Sequence, residues 1–167
     1  MSLQNETAEW DGKSADQIRA IFAKYQQSQS YADELITMLD FEFAQRGASW
    51  QLKALLESGK RLSPDQIENL AAVFNQLDHW ESRLHILQSI PYLPIPSAVE
   101  LEFEAFIRQS LAHKNKFVRA WAYTGFYELA VQYPEYQSEA MLLLNKAMEQ
   151  ESGSIKVRVR KALQKGF

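Results

Sequence analysis

Apolar residues recur along this chain at intervals of three and four, the spacing of one helix face and not of a strand. Ile18, Ile21, Phe22 and Tyr25 form a first stripe, and Ala32, Leu35, Ile36, Leu39 and Phe43 a second. Leu52, Leu55 and Leu56 form a third, followed by Ile67, Leu70, Ala71 and Phe74, and by Trp80, Leu84 and Leu87. Val99, Phe103, Phe106 and Ile107 make the sixth stripe, and Val118, Ala122, Gly125 and Leu129 the seventh. Ala140, Leu143, Leu144, Ala147 and Met148 make the eighth, and Ile155, Val159, Ala162 and Leu163 the last. Strand-like alternation is nearly absent, so the pattern predicts an all-α fold of about nine helices. Residues 1–13 carry no stripe and are expected to lack order, with 14–167 forming one domain.

Polar punctuation marks where these helices begin. Ser14-Ala-Asp-Gln17, Ser63-Pro64-Asp65-Gln66, Asp78-His-Trp-Glu81 and Ser97-Ala-Val-Glu100 each read as a capping box, in which the first side chain accepts a backbone N–H and the fourth reaches back. Pro64 falls at the first helical position, where its missing N–H costs nothing. Pro91-Tyr-Leu-Pro94-Ile-Pro96 is the one unusual connector, held extended by its three prolines.

The punctuation also repeats. Val118-Arg119 aligns with Ser82-Arg83, 36 residues earlier, and with Val157-Arg158, 39 residues later; Trp50-Gln51 falls 32 residues before Ser82-Arg83. A second amphipathic helix lies between successive marks, roughly 64–76, 97–112 and 135–150. In Asn115-Lys-Phe-Val118-Arg119-Ala-Trp-Ala122, Tyr133-Pro134-Glu135, Leu142-Leu143-Leu144-Asn-Lys-Ala147 and Ser154-Ile-Lys-Val157-Arg158, this chain resembles the HEAT-like, armadillo-type helical repeats. The likeness is strongest over 114–164 and weakest over 14–45, and Gln51 stands where an arginine belongs in the pattern. The resemblance implies a right-handed α-solenoid of antiparallel helical hairpins, with Arg83, Arg119 and Arg158 as repeat arginines and Arg119 bridging to the next repeat. Trp121 and Gly125 join them as structural repeat residues, Gly125 allowing a close helix approach. A plain helical bundle is the competing architecture.

The stretch His113–Ala130 is apolar on nearly every side. In a stacked solenoid an inner helix touches its own partner and both neighbouring repeats, so Phe117, Val118, Trp121, Phe126 and Leu129 are expected to pack in several directions. The last helix suits an end cap, with Arg158, Arg160, Lys161 and Lys165 pointing outward; a binding surface is the other reading of those cations.

Composition narrows the function classes. The chain holds no cysteine, which excludes thiol chemistry and disulfides and fits a cytoplasmic location. The formal net charge is −3, and it is uneven. Residues 1–110 carry 9 basic against 16 acidic side chains, and residues 111–167 carry 9 against 5. His79, His85 and His113 show no metal-ligand spacing, and no phosphate loop or nucleophile elbow occurs. His85 is expected on a helix surface. No cofactor, metal or membrane contact is expected, and nothing points to catalysis.

The reading that remains is a non-catalytic protein–protein scaffold, monomeric, using the concave face of a solenoid. Its candidate contacts are Glu68, Asn75, Leu101, Glu104, Arg108, Leu142, Asn145 and Glu149. Leu101 and Leu142 lie off the core stripes and would either meet a partner or fill gaps between repeats. The alternative is nucleic-acid binding through Lys116, Arg119, Arg158, Arg160 and Lys161, although the acidic remainder of the chain opposes it.

Overall fold

A computed structural model describes residues 1–167 and contains ten α-helices and no strand. The chain divides into two compact units, Met1–Leu93 and Pro94–Phe167.

The first unit holds α1 (Leu3–Glu9), α2 (Ala15–Tyr25), α3 (Tyr31–Met38), α4 (Glu42–Glu57), α5 (Pro64–Ala72) and α6 (Trp80–Ser89). Helix α4 is its centre and packs against α1, α2, α3 and α6. Small side chains make this possible: Ala44, Gly47, Ala48 and Ser49 are all buried and let neighbouring helices approach closely. At Gly47 the approach leaves no room for a side chain, because a Cβ there would lie 2.7 Å from Thr7 Cγ2. Around this spine Leu35, Leu39, Leu52, Leu56, Ile67 and Leu70 are fully buried.

The core also contains a polar chain. The Tyr31 hydroxyl donates to Gln51 Oε1 at 2.7 Å, and Gln51 Nε2 donates to Thr7 Oγ1 at 2.9 Å and to the Gly47 carbonyl at 3.2 Å. Tyr31, Gln51 and Thr7 are at most 1% exposed. Buried polar groups are tolerated when they are paired in this way, and the Tyr31 phenol is held well above its ordinary pKa by burial. Gln45 is paired on one side only: its amide nitrogen donates to the carbonyls of Leu39 and Gln76, while its Oε1 is buried without a partner.

Several boundaries differ from those expected. Residues 3–9, expected to lack order, form α1, which buries Leu3 and Thr7 and packs on α4 and α2. The second stripe does not continue to Phe43. The chain turns at 39–41, and Phe43 falls on the outer side of α4 at 62% exposure. Only Ser63–Gln66 closes a full capping box. Ser14 caps α2 through Gln17, but its own N–H donates to Asp11. Helix α6 starts from His79, and Ser97–Val99 is a 3-10 turn ahead of α7, so neither Asp78 nor Ser97 caps an α-helix.

The second unit holds α7 (Glu100–Leu111), α8 (Lys116–Gln132), α9 (Gln137–Gln150) and α10 (Gly153–Lys165). Helix α8 packs on α7, α9 and α10, which explains its apolar surface. Val118, Ala122, Gly125 and Leu129 are buried along one line, and Ala120 and Tyr127 along another that joins Leu144, Ile155 and Val159. Phe117 is the exception, 51% exposed. Pairings between the helices set their directions. Arg119 meets Glu151, Trp121 meets Arg158, and Tyr127 meets Gly166, so α8 and α10 run parallel. Glu104 meets Tyr136 and Arg108 meets Glu139, so α7 and α9 also run parallel. The unit is thus two layers, α7 beside α9 and α8 beside α10. The proline-rich connector enters it through Ile95, whose N–H donates to Gln132 and whose carbonyl accepts from Tyr133. Pro91 and Pro94 are exposed.

The Gly47 contact is open to test. Gly47→Ala gains about 1 kcal/mol of helix propensity but overpacks against Thr7, at a cost of about 1–3 kcal/mol. Net destabilisation is expected in urea denaturation, with partial recovery in Gly47→Ala/Thr7→Ser, which removes Cγ2 and keeps the hydroxyl for Gln51. A single variant as stable as the parent would show that α1 is not docked in this way.

Candidate functional site

The α7/α9 layer of the second unit carries most of the residues expected to meet a partner. The Arg108 guanidinium is held by three carboxylate contacts: Nε to Glu104 at 3.0 Å, Nη1 to Glu139 Oε1 at 2.6 Å and Nη2 to Glu139 Oε2 at 2.8 Å. This bidentate fork ties α7 to α9. The Tyr136 hydroxyl sits 2.8 Å from both Glu100 Oε1 and Glu104 Oε2. Arg108 also lies over the Phe126 ring, 5.1 Å from its centroid. Its pKa is raised, first by the Glu139 hydrogen bonds, and Glu139 is correspondingly lowered by Arg108. Glu104 and Arg108 are therefore engaged inside the unit.

Leu101 is 69% exposed and Leu142 is 73% exposed. They are not adjacent. The pairing of Glu104 with Tyr136 and of Arg108 with Glu139 puts Leu101 near one end of the layer and Leu142 nearer the other, with the charged network between. Asn145 and Glu149 are exposed on the same helix as Leu142. In the first unit, Asn75 is exposed and Glu68 half-buried.

The α8/α10 layer separates the expected repeat arginines by role. Arg119 reaches Glu151 with Nε at 3.2 Å and Nη2 at 3.3 Å, and Nη1 donates to the carbonyls of His113 and Lys114 at 3.0 Å each. It thereby clamps the turn before α8 to the turn before α10, and Tyr123 adds its hydroxyl to Glu151 at 3.1 Å. Burial is the main cause raising the Tyr123 pKa, to about 12. Arg158 has no carboxylate; its guanidinium lies 3.5 Å from the Trp121 ring centroid, and loss of hydration draws its pKa down. Lys116, Arg160 and Lys161 are exposed. Of the residues considered for nucleic acid, Arg119 is thus committed to Glu151. In the first unit Arg83 is half-buried, its pKa drawn down by burial against the opposing charge of Asp78.

Polar residues that the sequence did not single out form a second locus in the first unit. The Arg46 guanidinium donates to the Gly12 carbonyl at 3.2 Å and to Glu81 at 2.9 Å. Gly12 is needed there, since its φ is +76° and a Cβ would fall 2.4 Å from the guanidinium. Trp10, Glu42, Phe43, Arg46 and His79 line a cleft of about 430 Å³. Arg46 Nε and His79 Nδ1 are buried without hydrogen-bond partners.

His85 corrects the expectation of a surface position. Its Nδ1 lies 2.8 Å from Ser49 Oγ, and burial first, then Lys53 and Arg46, lower its pKa to about 3. Ser49 is completely buried and also reaches the Arg46 carbonyl at 3.1 Å. The imidazole is thus half-buried and tied to a fully buried hydroxyl, not free on a helix surface. No group of three or more His, Cys, Asp or Glu residues is placed to hold a metal ion, and no helix is long and apolar enough to cross a membrane. Comparison with family models, with curated proteins and with solved structures finds no match.

The half-buried His85 imidazole gives the protein a pH-dependent stability. The unfolded chain takes up a proton at His85 near pH 6.5, whereas the folded chain does so only near pH 3. Its contribution is therefore complete above about pH 6.5 and is lost progressively as pH falls toward 3. Between pH 7 and pH 5 the loss is about 2 kcal/mol. Urea denaturation across that interval should show the decline in the parent and a flatter profile in His85→Gln. Identical slopes would mean that His85 titrates freely in the folded state.

Proposed function

We propose that the protein is a non-catalytic, cytoplasmic protein-binding module, monomeric and built from HEAT-like helical hairpins as a short right-handed solenoid. The parallel pairs α7/α9 and α8/α10 support the hairpin-repeat reading, because stacked hairpins bring every second helix into one layer. Arg119 reaching Glu151, 32 residues on, agrees with a bridging repeat arginine.

The observation that carries the binding reading is the exposure of Leu101 and Leu142 on the α7/α9 layer. The core of the unit is filled from the other faces of these helices by Phe103, Phe106, Ile107, Ala140, Leu144 and Ala147, so neither leucine serves it. Between them the Glu104–Arg108–Glu139 network is already ordered, which lowers the entropy lost when a partner docks on it. Apolar anchors beside a fixed polar patch are a common arrangement at interfaces.

The test compares the full chain with Leu101→Asp/Leu142→Asp as immobilised bait, in lysate with and without nuclease. A discrete protein that survives nuclease and loses at least tenfold in affinity for the double variant is the expected result. Unchanged capture by the variant would remove the α7/α9 layer from the interface. Capture that disappears with nuclease would favour nucleic acid on the basic side chains of α8 and α10.

A further inference from the structure

A cleft of about 340 Å³ opens between α8 and α10, on the layer opposite the proposed protein-binding face. Arg158, Lys161 and Lys165 line it from α10, and Thr124, Tyr127 and Glu128 from α8. The spacing explains the grouping. Positions 158, 161 and 165 are three and four apart, as are 124, 127 and 128, so each set shares one side of its helix.

Arg158 is the unusual member. It is half-buried, stacked on Trp121 at 3.5 Å, and no carboxylate or carbonyl accepts from it. The stacking occupies the flat face of the guanidinium and leaves its N–H edge for a ligand. A partly desolvated cation without an anion costs free energy, and an anion bound in the cleft would offset that cost.

We propose that this cleft binds a small phosphomonoester carrying a flat apolar body. The charges match: three cations against Glu128 leave a formal +2, and a phosphomonoester carries about −1.5 to −2 at neutral pH. The volume suits a small molecule and not a polymer. The cations stand on the α10 side alone, while Glu128 on the α8 side would repel a second run of phosphates. Ala162 and the Tyr127 ring, itself stacked on Phe167 at 5.1 Å between centroids, provide apolar wall for the body of the ligand. Glu128 is half-buried, and burial raises its pKa against the opposing pull of Lys165. Whenever it is ionised, its carboxylate in the cleft lining opposes a bound anion.

Phenyl phosphate, inorganic phosphate and phenol are the probes, titrated into the full chain by calorimetry and followed by the Trp121 indole N–H resonance. Phenyl phosphate should bind more tightly than inorganic phosphate, phenol should not bind detectably, and the Trp121 signal should shift on saturation. Arg158→Gln should weaken phenyl phosphate at least tenfold. Lys161→Gln, an exposed position whose change leaves the fold intact, should weaken it several-fold. Glu128→Gln should strengthen it. Affinity indifferent to Lys161→Gln and Glu128→Gln would overturn the proposal. So would binding of a single-stranded oligonucleotide that phenyl phosphate cannot displace. These outcomes are independent of the Leu101 and Leu142 variants, so this site and the protein-binding face fail separately.

Discussion

Helix α4 can have close neighbours only because its inner positions are nearly without side chains. Ala44, Gly47, Ala48 and Ser49 bring other backbones near enough for Gln51 and Gln45 to reach them. The polar contacts of the first unit depend on that closeness. Gln51 bonds Thr7 from α1 and Tyr31 from α3, and Gln45 closes the carbonyls of Leu39 and Gln76. Side chains that pushed the helices apart would leave these amides buried and unpaired, at about 1–3 kcal/mol for each lost group.

The second unit solves a similar problem differently. Helix α8 is surrounded by α7, α9 and α10, and its sides are matched largely by apolar contact, with a few polar ties to the segments around α10. Arg119 and Tyr123 hold Glu151 just before α10, and the Tyr127 hydroxyl holds the Gly166 carbonyl just after it. The α7/α9 layer receives its own clamp from Arg108. Arginine suits both clamps because its planar fork meets two carboxylate oxygens at once.

Much of this arrangement is legible as hydrophobic spacing. The stripes at Ile67 to Phe74, Phe103 to Ile107 and Ile155 to Ala162 name buried residues correctly, and Ser63 marks its helix start. Residues that serve the core through polar groups escape the same reading. Gln51, Ser49 and His85 look like surface residues by hydropathy, yet their partners lie 20 to 44 positions away and only the fold reveals them. Helix α1 went unseen for a similar reason, since one of its two buried residues is a threonine. Phe43 shows the converse: its spacing continues a stripe, but the turn at 39–41 rotates it outward. The cations of α10 were visible, whereas the stacking of Arg158 on Trp121 needed the register of two parallel helices.

The Thr7–Gln51–Tyr31 chain also bears on the order in which the first unit assembles. Joining Tyr31 to Gln51 closes 20 residues, and joining Thr7 to Gln51 closes 44. Loop-closure entropy makes the second event costlier by about 0.7 kcal/mol. The α3–α4 pair can thus form first and hold the Gln51 amide with one end satisfied and the other presented. Helix α1, seven residues long and too short to persist alone, therefore depends for its order on a donor that α4 presents, and the first segment of the chain is only as well placed as that helix.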